Sequence, residues 1–315
     1  MTQNREGGPY FDDLTRGQVF DTAPSMTLTT GVAAVHQSIL GDRLRLPLDA
    51  ELSTAVAGGP VAHPGLVCDV AIGQSTLVTQ RVKANLFYRG LRFHRFPLIG
   101  DTLSTRTEVV GLKQNSLRPG RAATGLAALR MTTTDQDGRL VLDFHRCAML
   151  PLSAELHSGH ADDLSTIGSD DDGPDPTAGW DLGAYRRLVP AVAPRGVEMT
   201  STPDVVSSAP ELARLTLNIA AAHHGSQRLV YGGHTIGLAL AQAARLLPNL
   251  VTVLDWDSCD HTGPVHEGDV LFSRVRVEAA AESGTGGKIL TLRSLVYAED
   301  DERQVLDWRY RVLTA

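Results

Sequence analysis

The chain has 315 residues, 42% of them apolar, and a net charge of −7 with no dense Lys/Arg block. It is long enough for two ordinary domains with substantial cores, and its charge argues against nucleic acid or a polyanionic membrane surface as partner. Cys68, Cys147 and Cys259 are isolated and form no CxxC pair, so composition points to a reduced, cytoplasmic protein rather than a disulfide scaffold. The opening MTQNREGGPYFDDLTRGQ lacks a charged segment followed by an apolar one, and no run reaches bilayer-spanning length. Neither an export signal nor a membrane anchor is expected.

In chain order, Thr27-Leu-Thr29 leads to His36, and His63-Pro-Gly65 introduces LVCDVAIGQSTLV, apolar almost all round. That pattern predicts a helix buried on most sides. Ile99-Gly-Asp-Thr-Leu103 opens a run of strand-like residues, Asp137-Gly138 marks a turn, and Val141-Leu-Asp-Phe-His-Arg146 closes the run. Residues 153–179 are acidic, rich in Gly, Pro and Ser and poor in large apolar side chains. They read as a flexible linker between domains spanning 8–152 and 180–315. Beyond it the order recurs. Thr216-Leu-Asn218 leads to His223, and Gly232-Gly-His234 introduces TIGLALAQAARLL, ended by Pro248. Glu267-Gly-Asp-Val-Leu271 opens a second strand run and Val305-Leu-Asp-Trp-Arg309 closes it. The two Gly-Asp pairs lie 168 residues apart, Gly65 and Gly233 also 168, and the Val-Leu-Asp tripeptides 164. Such constant offsets imply a duplication.

One buried helix followed by antiparallel strands is the order expected of an α+β hot-dog, a curved sheet wrapped around a central helix. On YFDDLTRGQVF, FYRGLRFHRFPLIGDTL and VLDFHRC, the chain resembles the MaoC-like double hot-dog (R)-specific acyl-CoA hydratase/dehydratase family, its mesaconyl-CoA hydratase branch in particular. The resemblance covers nearly everything except the linker. It implies a catalytic Asp followed five residues later by a His, with glycine amides at the buried helix polarising the thioester carbonyl. His223 matches that histidine, but Asn218 stands where the family has its aspartate, and the first half has Gly31 five residues before His36. An amide orients water but cannot take its proton. Asn218 also suits a turn or cap.

His223 is the first substitute base. His224, His234 and Asp69 qualify only if the fold turns them inward. Gly233, after Gly232, is the expected oxyanion amide, since a helix N-terminus offers free N–H groups; the glycine pair equally suits a plain tight turn into the helix. Gly232 and His234 are expected to border the substrate. Arg89 and Arg92 either meet CoA phosphates or form a solvated sheet face. No metal is expected: His157, His160, Asp162 and Asp163 sit in the linker without a rigid further ligand. Gly284 to Lys288 reads as a hairpin turn, and no GxSxG elbow occurs. The resemblance implies no cofactor beyond the coenzyme A of the substrate, and an acyl-CoA as small-molecule partner. A fused chain can act as an internal pseudo-dimer, alone or within a homodimer. Three activities stay open: hydration or dehydration of an unsaturated, branched or dicarboxylic CoA thioester, acyl-CoA binding with weakened catalysis, and, last, thioester hydrolysis.

Overall fold

In the computed structural model the described residues are 7–153, 157–168, 173, 175–189, 197–226 and 228–315. Eight long antiparallel strands carry the architecture. In the first half these are β1 (Ala84–Phe93), β2 (Thr102–Gln114), β3 (Thr124–Thr134) and β4 (Leu140–Pro151). In the second they are β5 (Leu250–His261), β6 (Val270–Glu282), β7 (Lys288–Ala298) and β8 (Gln304–Thr314). They form one continuous sheet in the order β2-β3-β4-β1-β5-β8-β7-β6. Read outward from its centre, each half repeats the same topology, as a double hot-dog requires.

Alternation fixes which face of each strand is buried. In β2, Leu103, Thr105, Thr107 and Val109 are buried while Ser104 and Arg106 are exposed. The concave face wraps two helices, α1 (Pro64–Gln74) and α2 (Gly232–Leu246). Pro64 occupies the first turn of α1, and His63 Nδ1 accepts from the Gly65 amide 3.0 Å away, capping the helix. Leu66 through Gln74 are all buried, as are Gly233 through Ala244. The apolar run that predicted one helix to Val78 is cut at Gln74 and continues as a 3-10 turn over Ser75–Leu77.

β1 and β5 join the halves, pairing Phe87 with Asp260 and Arg92 with Asp255. Moving the first-half member forward by 168 residues and the second-half member back by 168 turns the first pair into the second, so the offset seen in the sequence is a pseudo-twofold axis through the sheet centre. The halves also interlock through residues 216–221. A Cβ on Gly73 would lie 1.6 Å from the Thr216 carbonyl oxygen, so this loop rests directly on the α1 backbone. Leu217 takes a positive φ of 62° at the contact. The Thr76 hydroxyl donates to the Gly73 carbonyl at 2.5 Å and accepts from the Ile219 amide at 3.1 Å. The Ala221 amide donates to the Gln80 carbonyl at 2.8 Å.

The expected linker is described only in part. Residues 157–168 run beside the end of β2, where Ala161 bridges to Lys113 and Asp162 accepts from the Leu112 amide at 2.9 Å. This stretch is tied to a strand because the β2 backbone has groups free to pair there. Within that segment, residues 154–156, 169–172 and 174 lie outside the described residues.

Candidate functional site

A cavity of about 370 Å³ opens where the 216–231 loop meets the first half, a size within the range of small-molecule sites. Both halves wall it, and no Asp or Glu is among its described lining residues.

His223 ends a single 3-10 turn, Ala221–His223, and borders the cavity. Its Nδ1–H donates to the Leu229 carbonyl at 2.9 Å, which fixes the tautomer and leaves Nε2 with a free lone pair. Burial pushes the imidazole below its ordinary pKa; the Leu229 bond opposes this, and His224 and the Arg146 charge add to it. The ring is therefore neutral near pH 7 and meets Tyr231 edge-on at 5.7 Å. Asn218 is 2% exposed and borders the same cavity. Its Oδ1 accepts from the Ala220 amide at 3.0 Å, the turn role open to it from sequence. Its Nδ2 has no acceptor among the described residues.

The other base candidates point elsewhere. His224 Nε2–H donates to the Asn218 carbonyl at 2.7 Å and pins the loop. Asp69 accepts from His36 Nε2 at 3.1 Å and from the Tyr231 hydroxyl at 3.0 Å, and faces a narrow crevice rather than the cavity. His234 is fully buried and borders neither space. Burial pushes its pKa down to about 4, and neither ring nitrogen finds a hydrogen-bond partner among the described residues.

Of the two glycines, Gly232 borders the cavity, against the His261 ring, where a Cβ would come within 2.6 Å. Gly233 borders the crevice instead, and its Cβ would fall 2.1 Å from Asp69 Oδ1. One step along a helix rotates the chain by about 100°, enough to exchange the two positions. Arg89 and Arg92 do not reach the cavity. Tyr88 and Leu91 take the inward positions of β1, leaving Arg89 to pair with Asp260 at 2.7 Å and Arg92 to line an outer groove. Among the described residues no three His, Cys, Asp or Glu side chains are grouped as metal ligands.

Asn85, Tyr88, Arg146 and His261 are among the cavity residues not singled out from sequence. Asn85 has both amide atoms buried without partners, and His261 is driven to a pKa of about 4, mainly by burial. The duplication shows why the matching space in the other half is closed. At the 168 offset Asn85 corresponds to Val253, Tyr88 to Trp256 and His261 to Phe93; at the 164 offset Arg146 corresponds to Tyr310. Val253, Trp256 and Phe93 line the crevice, with Trp308, and shrink it to about 10 Å³. Aromatic side chains fill the twin of the cavity.

No protein-family model matches the chain. It is 64% identical to RV0216 of Mycobacterium tuberculosis, a solved double hot-dog structure, over 99% of this chain and 100% of that one, with a TM-score of 0.94. It is 26% identical to the beta-methylmalyl-CoA dehydratase of Chloroflexus aurantiacus over 99% of this chain and 93% of that protein. It is also 26% identical to the mesaconyl-CoA hydratase of Cereibacter sphaeroides over 89% of this chain and 86% of that protein. No helix among the described residues is long and apolar enough to cross a membrane.

Proposed function

Because the chain belongs to the MaoC-like double hot-dog family, we propose that it is a hydro-lyase acting on an unsaturated acyl-CoA, with His223 as its base. One observation carries this reading: His223 presents a neutral imidazole whose Nδ1–H is held by Leu229 and whose Nε2 is unpartnered in the cavity. Water held between Nε2 and Asn218 Nδ2 gives its proton to the imidazole as its oxygen bonds to the β-carbon. The C=C π bond breaks toward the α-carbon, and the imidazolium returns the proton there. Dehydration reverses these steps. Gly232, which borders the cavity in the first turn of α2, supplies the amide that stabilises the thioester oxygen as charge develops on it. The chemistry needs no cofactor beyond the coenzyme A of the substrate. The chain supplies both partners of the sheet and works as an internal pseudo-dimer.

A second reading, acyl-CoA binding with weak turnover, is favoured by Asn218, whose Oδ1 is already engaged by Ala220. Without a carboxylate base the hydration rate is expected to be about 10²- to 10⁴-fold below that of an Asp-containing site. Thioester hydrolysis ranks below both, since no carboxylate among the described residues borders the cavity to direct water at the carbonyl. The test follows the loss of enoyl-thioester absorbance with straight, branched and dicarboxylic CoA substrates, alongside equilibrium binding of each. Slow turnover of at least one supports the hydro-lyase, and binding without turnover supports the second reading. Failure to bind any of them sinks both.

A further inference from the structure

His261 ends β5 and borders the cavity together with His223, and the reaction proposed above leaves it without a task. Its ring lies against the first turn of α2: a Cβ on Gly232 would come within 2.6 Å of both Cε1 and Nε2. Nε2 is buried there without a partner, and Nδ1, which the protein does not seal off, makes no hydrogen bond among the described residues. The ring stays neutral, because it shares the cavity with the buried Arg146 guanidinium and no Asp or Glu among the described lining residues offsets a second cation. Burial, with His223 nearby, accordingly pushes its pKa down to about 4. A neutral imidazole carries one N–H. On Nε2 that proton would face Gly232 with no acceptor, so it belongs on Nδ1. The fold does not demand an imidazole here, since at the 168 offset the other half has Phe93, buried and stacked on Phe96 at 4.9 Å. A histidine standing where a phenyl ring packs, with neither nitrogen partnered, points to a ligand.

We infer that His261 is a catalytic residue whose Nδ1–H is the second donor, beside the Gly232 amide, to the thioester oxygen on which charge develops. This rests on the acyl-CoA reading above and adds a side chain that polarises the substrate. The two donors belong together, because an oxygen accepting from the Gly232 amide at about 2.9 Å lies within reach of a ring packed on the same residue. Neutrality suits the role. A neutral imidazole N–H stabilises an oxyanion by hydrogen bonding without giving up its proton, so the α-carbon remains the place where protonation ends the reaction. His223 and His261 then divide the work. The Leu229 carbonyl takes the N–H of the first and leaves its lone pair for water, while the N–H of the second is left for the substrate.

The test uses 2,4-hexadienoyl-CoA, whose conjugated absorbance band moves to longer wavelength when hydrogen bonds polarise its carbonyl. The wild-type protein should bind it with such a red shift. His261→Phe should lose much of the shift yet bind within about fivefold of wild type, because the donor acts mainly on the charge of the transition state. Its kcat for enoyl-thioester hydration should fall about 10²- to 10³-fold with KM little changed, the effect of removing one oxyanion donor. His261→Gln, which keeps an N–H donor, should retain part of both the shift and the rate. His261→Phe should melt no lower than wild type, since a phenyl ring fills the matching place in the other half. His261→Met, also without a donor, should behave alike and carries the comparison if the phenylalanine variant does not fold. A full red shift or a near wild-type kcat in these two variants overturns the role of His261. Binding to wild type without any shift overturns it too, while acyl-CoA binding stands. If the thioester does not bind wild type at all, the acyl-CoA reading falls and the role of His261 with it.

Discussion

Replacing Gly73 by alanine tests how the two halves build one site. A Cβ there would stand 1.6 Å from the Thr216 carbonyl oxygen, where real contacts stay beyond 3.0 Å. The carbonyl must therefore withdraw by about 1.4 Å. It cannot rotate away alone, because Leu217 is held at a φ of 62° and the Asn218 amide is bonded to the Ala213 carbonyl at 2.9 Å. The displacement reaches Asn218, and through the His224 bond to its carbonyl it reaches the turn bearing His223. Overpacking of this kind costs about 1–3 kcal/mol, and a misplacement near 1 Å costs about 10²-fold in turnover. Gly31→Ala is the control, an exposed position where the nearest atom to a new Cβ is 3.7 Å away. Thermal melts and enoyl-thioester turnover of both variants are the assay. Wild-type melting and turnover in Gly73→Ala would refute the loop-on-helix account of the site.

Asn218→Asp keeps the acceptor for the Ala220 amide and places a second carboxylate oxygen where Nδ2 now lacks a partner. Hydration measured by absorbance should rise at least tenfold, and an unchanged or lower rate would remove Asn218 from the water site. Stability should also depend on pH through His234, whose folded pKa of about 4 lies below the ordinary histidine value of 6.5. The native state then binds fewer protons than the unfolded one between those values, so stability is full above the upper value and is lost as pH falls toward the lower. Between pH 7.5 and 5 the loss is about 2 kcal/mol for this group. Denaturant unfolding at both pH values should show it, and His234→Leu should reduce the dependence by about that amount while leaving the share of His261, which is lowered likewise.

The repeat, its 168-residue offset and the buried helices were legible because they rest on apolar periodicity and on turn residues. His223 was legible through its spacing from Asn218. The exchange of Gly232 and Gly233 was not, since one helical step moves a residue between cavity and crevice and the motif does not set that phase. The basic cluster misled because Arg89 and Arg92 share a strand face opposite to Tyr88 and Leu91. Arg146 did leave a signal: Leu142, Phe144 and Arg146 alternate on the inward face of β4, where a charge breaks the pattern. Gly73 left none, since its partner Thr216 lies 143 residues away and only the folded chain brings them together.

The role given to His223 is tested most directly by steady-state hydration of a dicarboxylic enoyl-CoA by His223→Ala, compared with wild type at matched thermal stability. Turnover should fall about 10²- to 10⁴-fold with KM little changed, because the variant loses the imidazole whose Nδ1–H is held by Leu229 and whose Nε2 is left to the cavity that Asn218 also borders. Activity within a few-fold of wild type would contradict it.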